Sequence, residues 1–148
     1  MRTMTCLRLA AIALLLCCGS RAVAQTDSTA FRGYLQNKEY HVYMRINFYE
    51  QDVVIRWQEM FGPLAGFLAR EGDNLCWIVT DVQIDGNQAH LEITNDYGSE
   101  DLTATLTQTD DTTFVLRQLK GSTLKVPENR KWRKLPQTMT FIKNKKLK

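Results

Sequence analysis

The sequence predicts an all-β protein, an antiparallel up-and-down meander barrel of about eight strands, with a β-sandwich as the alternative. Three observations carry this. Apolar and polar residues alternate with period two in segment after segment from Phe31 to Lys143, the pattern of strands with one buried face. Turn-forming polar clusters recur at roughly 8 to 12 residue spacing, which suits antiparallel neighbours and leaves no room for the crossovers that parallel strands need. Only Trp57 to Phe61 hints at a helical turn, and a sheet without helices to cover its edges gains by closing on itself. A sandwich would need long crossover loops, and only residues 119 to 136 supply one.

Residues 1–24 read as a signal peptide. Arg2 and Arg8 form a basic start, Leu9 to Leu16 an apolar core, and Ala22-Val23-Ala24 a small-residue cleavage site before Gln25. The apolar run is far shorter than the ~20 residues that span a bilayer, so the segment is expected to be removed and the protein to span no membrane. The predicted location is exported, periplasmic or extracellular. Lipid anchoring at Cys17 or Cys18 is disfavoured, because a lipoprotein peptidase takes a small residue just before its cysteine, whereas here Leu16 precedes Cys17 and Cys17 precedes Cys18.

Cleavage takes Cys6, Cys17 and Cys18 with it, leaving Cys76 alone and no internal disulfide. The mature chain, 148 minus 24 or 124 residues, is long enough to bury roughly two-thirds of its unfolded surface in one core. Arg2, Arg8 and Arg21 also leave, so 19 minus 3 gives 16 basic residues against 16 acidic ones. Within that neutrality the charge is segregated: from Glu71 to Asp111 the chain has acids and no Lys or Arg, whereas from Thr112 onward Glu128 is the single acid among many bases. Such blocks on neighbouring strands would attract, at ~0 to 1 kcal/mol per exposed pair.

After a polar lead-in over residues 25–30, the single barrel domain is expected over residues 31–148, ending in a basic tail. Phe31 to Gln36 and Tyr40 to Tyr49 form the first hairpin across Asn37-Lys38; Tyr40, Val42, Met44, Ile46 and Phe48 share its inner face, and His41, Tyr43, Arg45, Asn47 and Tyr49 the other. Val53 to Trp57 and Leu64 to Ala69 continue the pattern, and Glu71 to Asn74 turns the chain. In the strand from Leu75 to Ile84 the apolar phase shifts between Val79 and Val82, predicting a bulge near Thr80-Asp81. Ala89 to Ile93, Leu102 to Leu106 and Thr113 to Leu116 follow across short polar links. Residues 119 to 136, with Gly121, Pro127 and Pro136, break the rhythm before a last strand from Thr138 to Lys143.

Gly33-Tyr34-Leu35, the Tyr40 to Tyr49 segment and Phe61-Gly62-Pro63-Leu64-Ala65-Gly66 carry a resemblance to small exported lipocalin/avidin-like meander β-barrel proteins of Bacteroidetes type, which mostly lack an assigned activity. The resemblance implies the barrel. Where lipocalins and avidins have Gly-x-Trp in the first strand this chain has Gly33-Tyr34-Leu35, so none of their ligand-contacting residues carries over.

Chemistry-bearing residues are sparse. His90 and Glu92 project from one strand face but supply two ligands where zinc takes three or four. Most acids of the middle block fall in turns, where Asp serves its own backbone. Ser28, Ser99 and Ser122 lack a nucleophile elbow, and no Gly-rich phosphate loop opens a helix. The chain is therefore read as non-enzymatic, with no catalytic residue, metal or cofactor. The leading function is binding of a small apolar or aromatic molecule, or a glycan, in a barrel cavity lined by Tyr40, Phe48, Trp57, Phe67 and Trp77. The alternative is a periplasmic protein-interaction module, an inhibitor or accessory subunit, docking through Tyr43, Arg45 and Trp132, a residue mix common at interface hot spots. Export argues against a nucleic-acid partner for the basic Arg130 to Lys134 segment.

Overall fold

The structure, a computed structural model, describes residues 29–147. It is a closed antiparallel barrel. Eight strands form the wall: β1 (Arg32–Asn37), β2 (Val42–Asn47), β3 (Gly66–Arg70), β4 (Cys76–Asp85), β5 (Gln88–Asn95), β6 (Asp101–Gln108), β7 (Thr113–Gly121) and β10 (Thr138–Asn144). Each pairs with its neighbour in sequence order, and β10 closes the circle between β7 and β1. A separate hairpin, β8 (Lys125–Glu128) and β9 (Lys131–Lys134), lies between β7 and β10. The signal-peptide reading, its cleavage point and Cys6, Cys17 and Cys18 lie outside the described residues.

Alternation sets which side chains fill the barrel. Val42, Met44, Ile46 and Phe48 all turn inward and are buried, and Leu91, Ile93, Leu106, Leu116 and Phe141 meet them from the other strands. Leu35, Met44, Leu106, Phe114, Leu116 and Phe141 have 0% of their surface accessible; a side chain with no accessible surface cannot border a void that holds water. The lumen is therefore packed solid around them. Near one end Phe31 stacks on Phe48 with ring centroids 5.7 Å apart and meets Phe114 edge-on at 5.9 Å, the geometry aromatic quadrupoles favour. The ladder of β4 and β5 shifts register between Val79 and Asp81, placing the bulge where the apolar phase slips.

Three segments depart from the sequence reading. Val53 to Trp57 is not a strand: Val53 makes one bridge to Leu64, and the chain runs on to a 3₁₀ turn at Glu59–Phe61. This segment crosses the outside of the wall, where Val53 and Ile55 pack on Phe67, Ala69, Cys76 and Ile78 in a second core. That cover explains why Phe67 to Ala69 and Cys76 to Val79 are buried on both faces and read as continuous apolar runs. The second departure is the β8–β9 hairpin, hidden in the segment read as rhythmless. Its two-residue turn uses Asn129 (φ 52°) and Arg130 (φ 63°), both in the left-handed region that a type I′ hairpin requires. The first hairpin also turns more widely than expected, with β1 ending at Asn37, β2 starting at Val42 and His41 at φ 53°.

Candidate functional site

The β8–β9 hairpin folds across one end of the barrel and closes it. Leu124, Val126 and Leu135 drop from it into the main core. The roots are held by Gln118, whose Oε1 accepts from the Leu124 N–H at 2.7 Å while its Nε2 donates to the Pro136 carbonyl at 2.9 Å. The indole N–H of Trp77, buried in the barrel, donates to the Lys125 carbonyl at 2.9 Å. Arg70, at the end of β3, donates to the Pro127 carbonyl and pairs with Glu128 at 3.1 Å; Arg133 shares the same carboxylate at 3.0 Å. The sole acid of the basic block thus ties its own hairpin to the barrel. Arg133 also lies over the Tyr40 ring, 4.7 Å from its centroid.

Beside this hairpin, the turn from β5 to β6 forms the other wall of a cleft of about 190 Å³. The turn is built by Asn95, whose Oδ1 accepts from the N–H groups of Ser99 and Glu100 at 2.9 and 3.2 Å. Gly98, at φ 68°, lets the chain double back, its N–H reaching the Asn95 carbonyl at 3.0 Å. This rigid loop leaves Tyr97 75% exposed, and Trp132, across the cleft on β9, is 55% exposed. Between the two aromatics, Lys125 pairs with Glu100 at 2.9 Å and sits 5.3 Å from the Trp132 ring centroid. Asp96 accepts from Gln58 Nε2 at 2.8 Å. The Lys125–Glu100 pair also joins the acidic and basic blocks of the sequence, which meet here at the barrel mouth.

The residues singled out from sequence do not gather round one hollow. Phe48 and Trp77 belong to the packed lumen, and Trp77 also reaches the lining of the cleft, where it joins Trp132. Trp57 and Phe67 lie on the opposite side of the wall, in edge-to-face contact at 5.6 Å, with the Trp57 N–H donating to the Asn74 carbonyl at 2.7 Å. Tyr40 is half-buried beneath Arg133. Of the residues expected to meet a partner, Tyr43 is half-buried, stacked on Tyr34 at 5.1 Å and packed against Phe67, while Arg45 is exposed on the outer wall. Trp132 stands apart from both, at the capped end. His90 and Glu92 are exposed side by side on β5. Tyr97, Asp96, Glu100 and Lys125 were not singled out by sequence; an aromatic within the polar turn Asp96-Tyr97-Gly98-Ser99 is the signal that marks them.

Fold and cleft together define a closed eight-stranded antiparallel barrel, compatible with a lipocalin-like build, whose lumen is filled and whose capped end carries an aromatic-rimmed cleft of mixed polarity. No protein-family model, no curated protein and no solved structure matches the chain.

Proposed function

We propose that the protein is an exported, non-enzymatic binding protein whose ligand is a glycan, taken at the cleft between Tyr97 and Trp132 and not inside the barrel. The observation that carries this reading is the pair of exposed aromatic rings bordering one small cleft that also holds charged and amide groups. A sugar ring presents C–H groups on its faces and hydroxyls round its edge. An aromatic face covers the first by dispersion and desolvation, while carboxylate, ammonium and amide groups satisfy the second. Trp132 and Tyr97 supply the faces; Glu100, Lys125 and Asp96 supply the edge groups. The site is preorganised, because the Asn95-braced turn and the Glu128-tied hairpin hold both aromatics before any ligand arrives. Export rests on the Arg2 to Ala24 pattern and would place the site where polysaccharide is met.

Screening the purified protein against a panel of oligosaccharides by intrinsic Trp fluorescence and calorimetry tests this. Saturable binding that Trp132→Ala and Tyr97→Ala each abolish, with folding intact by circular dichroism, supports the reading. Binding that survives both substitutions, or absence of binding across the panel, overturns it.

A further inference from the structure

A second feature of the barrel, remote in character from the aromatic cleft, is the seam where β10 meets β1. Their ladder spans only Tyr34↔Asn144, Leu35↔Lys143 and Gln36↔Ile142. On its other side β10 stays paired with β7 as far as Thr138↔Arg117. From Phe141 back to Thr138, therefore, β10 has a partner on one edge only. The alternation of a strand settles which groups are left over. Gln137 accepts from Gln118 through its carbonyl and Lys143 donates to Thr112 through its N–H, so odd-numbered residues of β10 bond toward β7. The N–H and C=O groups of Thr138 and Thr140 consequently aim at the seam. Asn37 substitutes for the missing strand at one point: its side chain donates to the Thr140 carbonyl at 2.9 Å while accepting from the Tyr40 N–H at 2.9 Å. It leaves the Thr140 N–H and both main-chain groups of Thr138 without a partner among the described residues.

The turn after β1 swings away from this edge and opens a groove of about 800 Å³ between residues 36–40 and β10, within the roughly 300–1,000 Å³ of typical binding pockets. The half-buried Tyr40 and the exposed Ile142 give it apolar footing. Its charge is one-sided. Lys38, Lys145 and Lys146 line it against the single carboxylate of Glu39, and Lys143 is committed to the carbonyls of Thr29 and Ala30 at 3.1 and 3.0 Å.

An unpaired strand edge beside an apolar floor and a basic rim is the chemistry of strand addition: main-chain bonds supply affinity, alternate side chains fill the groove, and charge selects the partner. We propose that this seam binds an extended acidic segment of a partner protein, which adds to the Thr138–Thr140 edge of β10 and places its carboxylates against Lys38, Lys145 and Lys146.

The test is fluorescence anisotropy with the full-length mature protein and a fluorescein-labelled peptide alternating Asp and Val. Saturable binding is expected, weakened at least tenfold by the triple variant Lys38→Glu, Lys145→Glu, Lys146→Glu and progressively by salt. N-methylation of every second peptide amide is the decisive arm, since it removes main-chain donors and leaves charge and the protein untouched; at least a tenfold loss is expected. Thr140→Pro removes a donor that faces the seam without removing a β10–β7 bond, and is expected to weaken binding similarly if circular dichroism shows the barrel intact. No binding of the acidic peptide, equal binding of its Lys/Val counterpart, insensitivity to N-methylation, or lysine-dependent capture of anionic lipid vesicles in place of the peptide would each overturn the assignment.

Discussion

Phe114→Ala examines the packed lumen at the aromatic cluster that fills one end of it. Phe114 has 0% accessible surface and meets the Phe31 ring edge-on at 5.9 Å and 66°. Truncating a fully buried Phe to Ala costs about 3–5 kcal/mol, the sum of lost transfer free energy and a term that grows with the cavity left behind. The upper part of that range is expected, because a closed sheet cannot collapse inward without breaking ladder bonds around its circumference. Domains of this size hold about 5–15 kcal/mol in all, so the variant should fold but with a much reduced margin. Urea unfolding followed by Trp fluorescence measures it: with a slope of about 2 kcal/mol per molar, the midpoint should fall by roughly 2 M. The vacated space is dry and apolar, so benzene should restore part of the loss by binding the native state alone. A loss below about 1 kcal/mol, with no response to benzene, would show that Phe114 borders an open hollow and that the lumen is not filled.

Three further outcomes are expected. Trp77→Phe removes the indole donor to the Lys125 carbonyl and should cost about 1–3 kcal/mol, with hydrogen exchange quickening first at the Leu135 N–H, which bonds the Leu124 carbonyl at 2.8 Å. Gly66→Ala should destabilise by about 1–3 kcal/mol, because the new methyl would lie 2.6 Å from the Arg45 carbonyl oxygen and 2.9 Å from Ile46 Cγ2; thermal unfolding reads it. Burial, aided by the Asp96 charge, pushes the Cys76 thiol from 9.0 up to about 12, so the native protein should resist a thiol-specific disulfide reagent at pH 8 and react once unfolded. The sign of the linked stability follows: between pH 9 and 12 the unfolded chain releases a thiol proton that the native state keeps, so stability falls across that window. Burial raises Tyr34 and Tyr43 in the same direction. Urea midpoints across that window should therefore fall less steeply for Cys76→Ala than for the wild-type protein.

The barrel was legible because period-two alternation is imposed by the wall itself: Val42, Met44, Ile46 and Phe48 are buried on one face as the pattern requires, and the Thr80-Asp81 bulge follows from the same rule broken by one residue. What alternation cannot say is on which side of the wall an apolar face finds cover. Val53, Ile55 and Trp57 do share a face, but it packs on the outside of β3 and β4. The hairpin at the barrel mouth was masked for another reason. Its strands are four residues each, one contains Pro127, and their outward positions carry Trp132 and cations, so neither length nor hydrophobicity marks them; the Asn129 turn alone does. The cleft depends on three segments, residues 75–77, 95–100 and 125–132, brought together only by closure of the barrel.

The most direct measurement is a ¹H–¹⁵N correlation titration of the protein with the best-binding oligosaccharide. Resonances of Tyr97, Glu100, Lys125 and the Trp132 indole should shift and saturate together, while the amides of Leu91, Leu106 and Phe114 in the barrel core stay in place. Shifts concentrated on those inward residues, with the rim unmoved, would contradict a filled barrel that binds at its mouth.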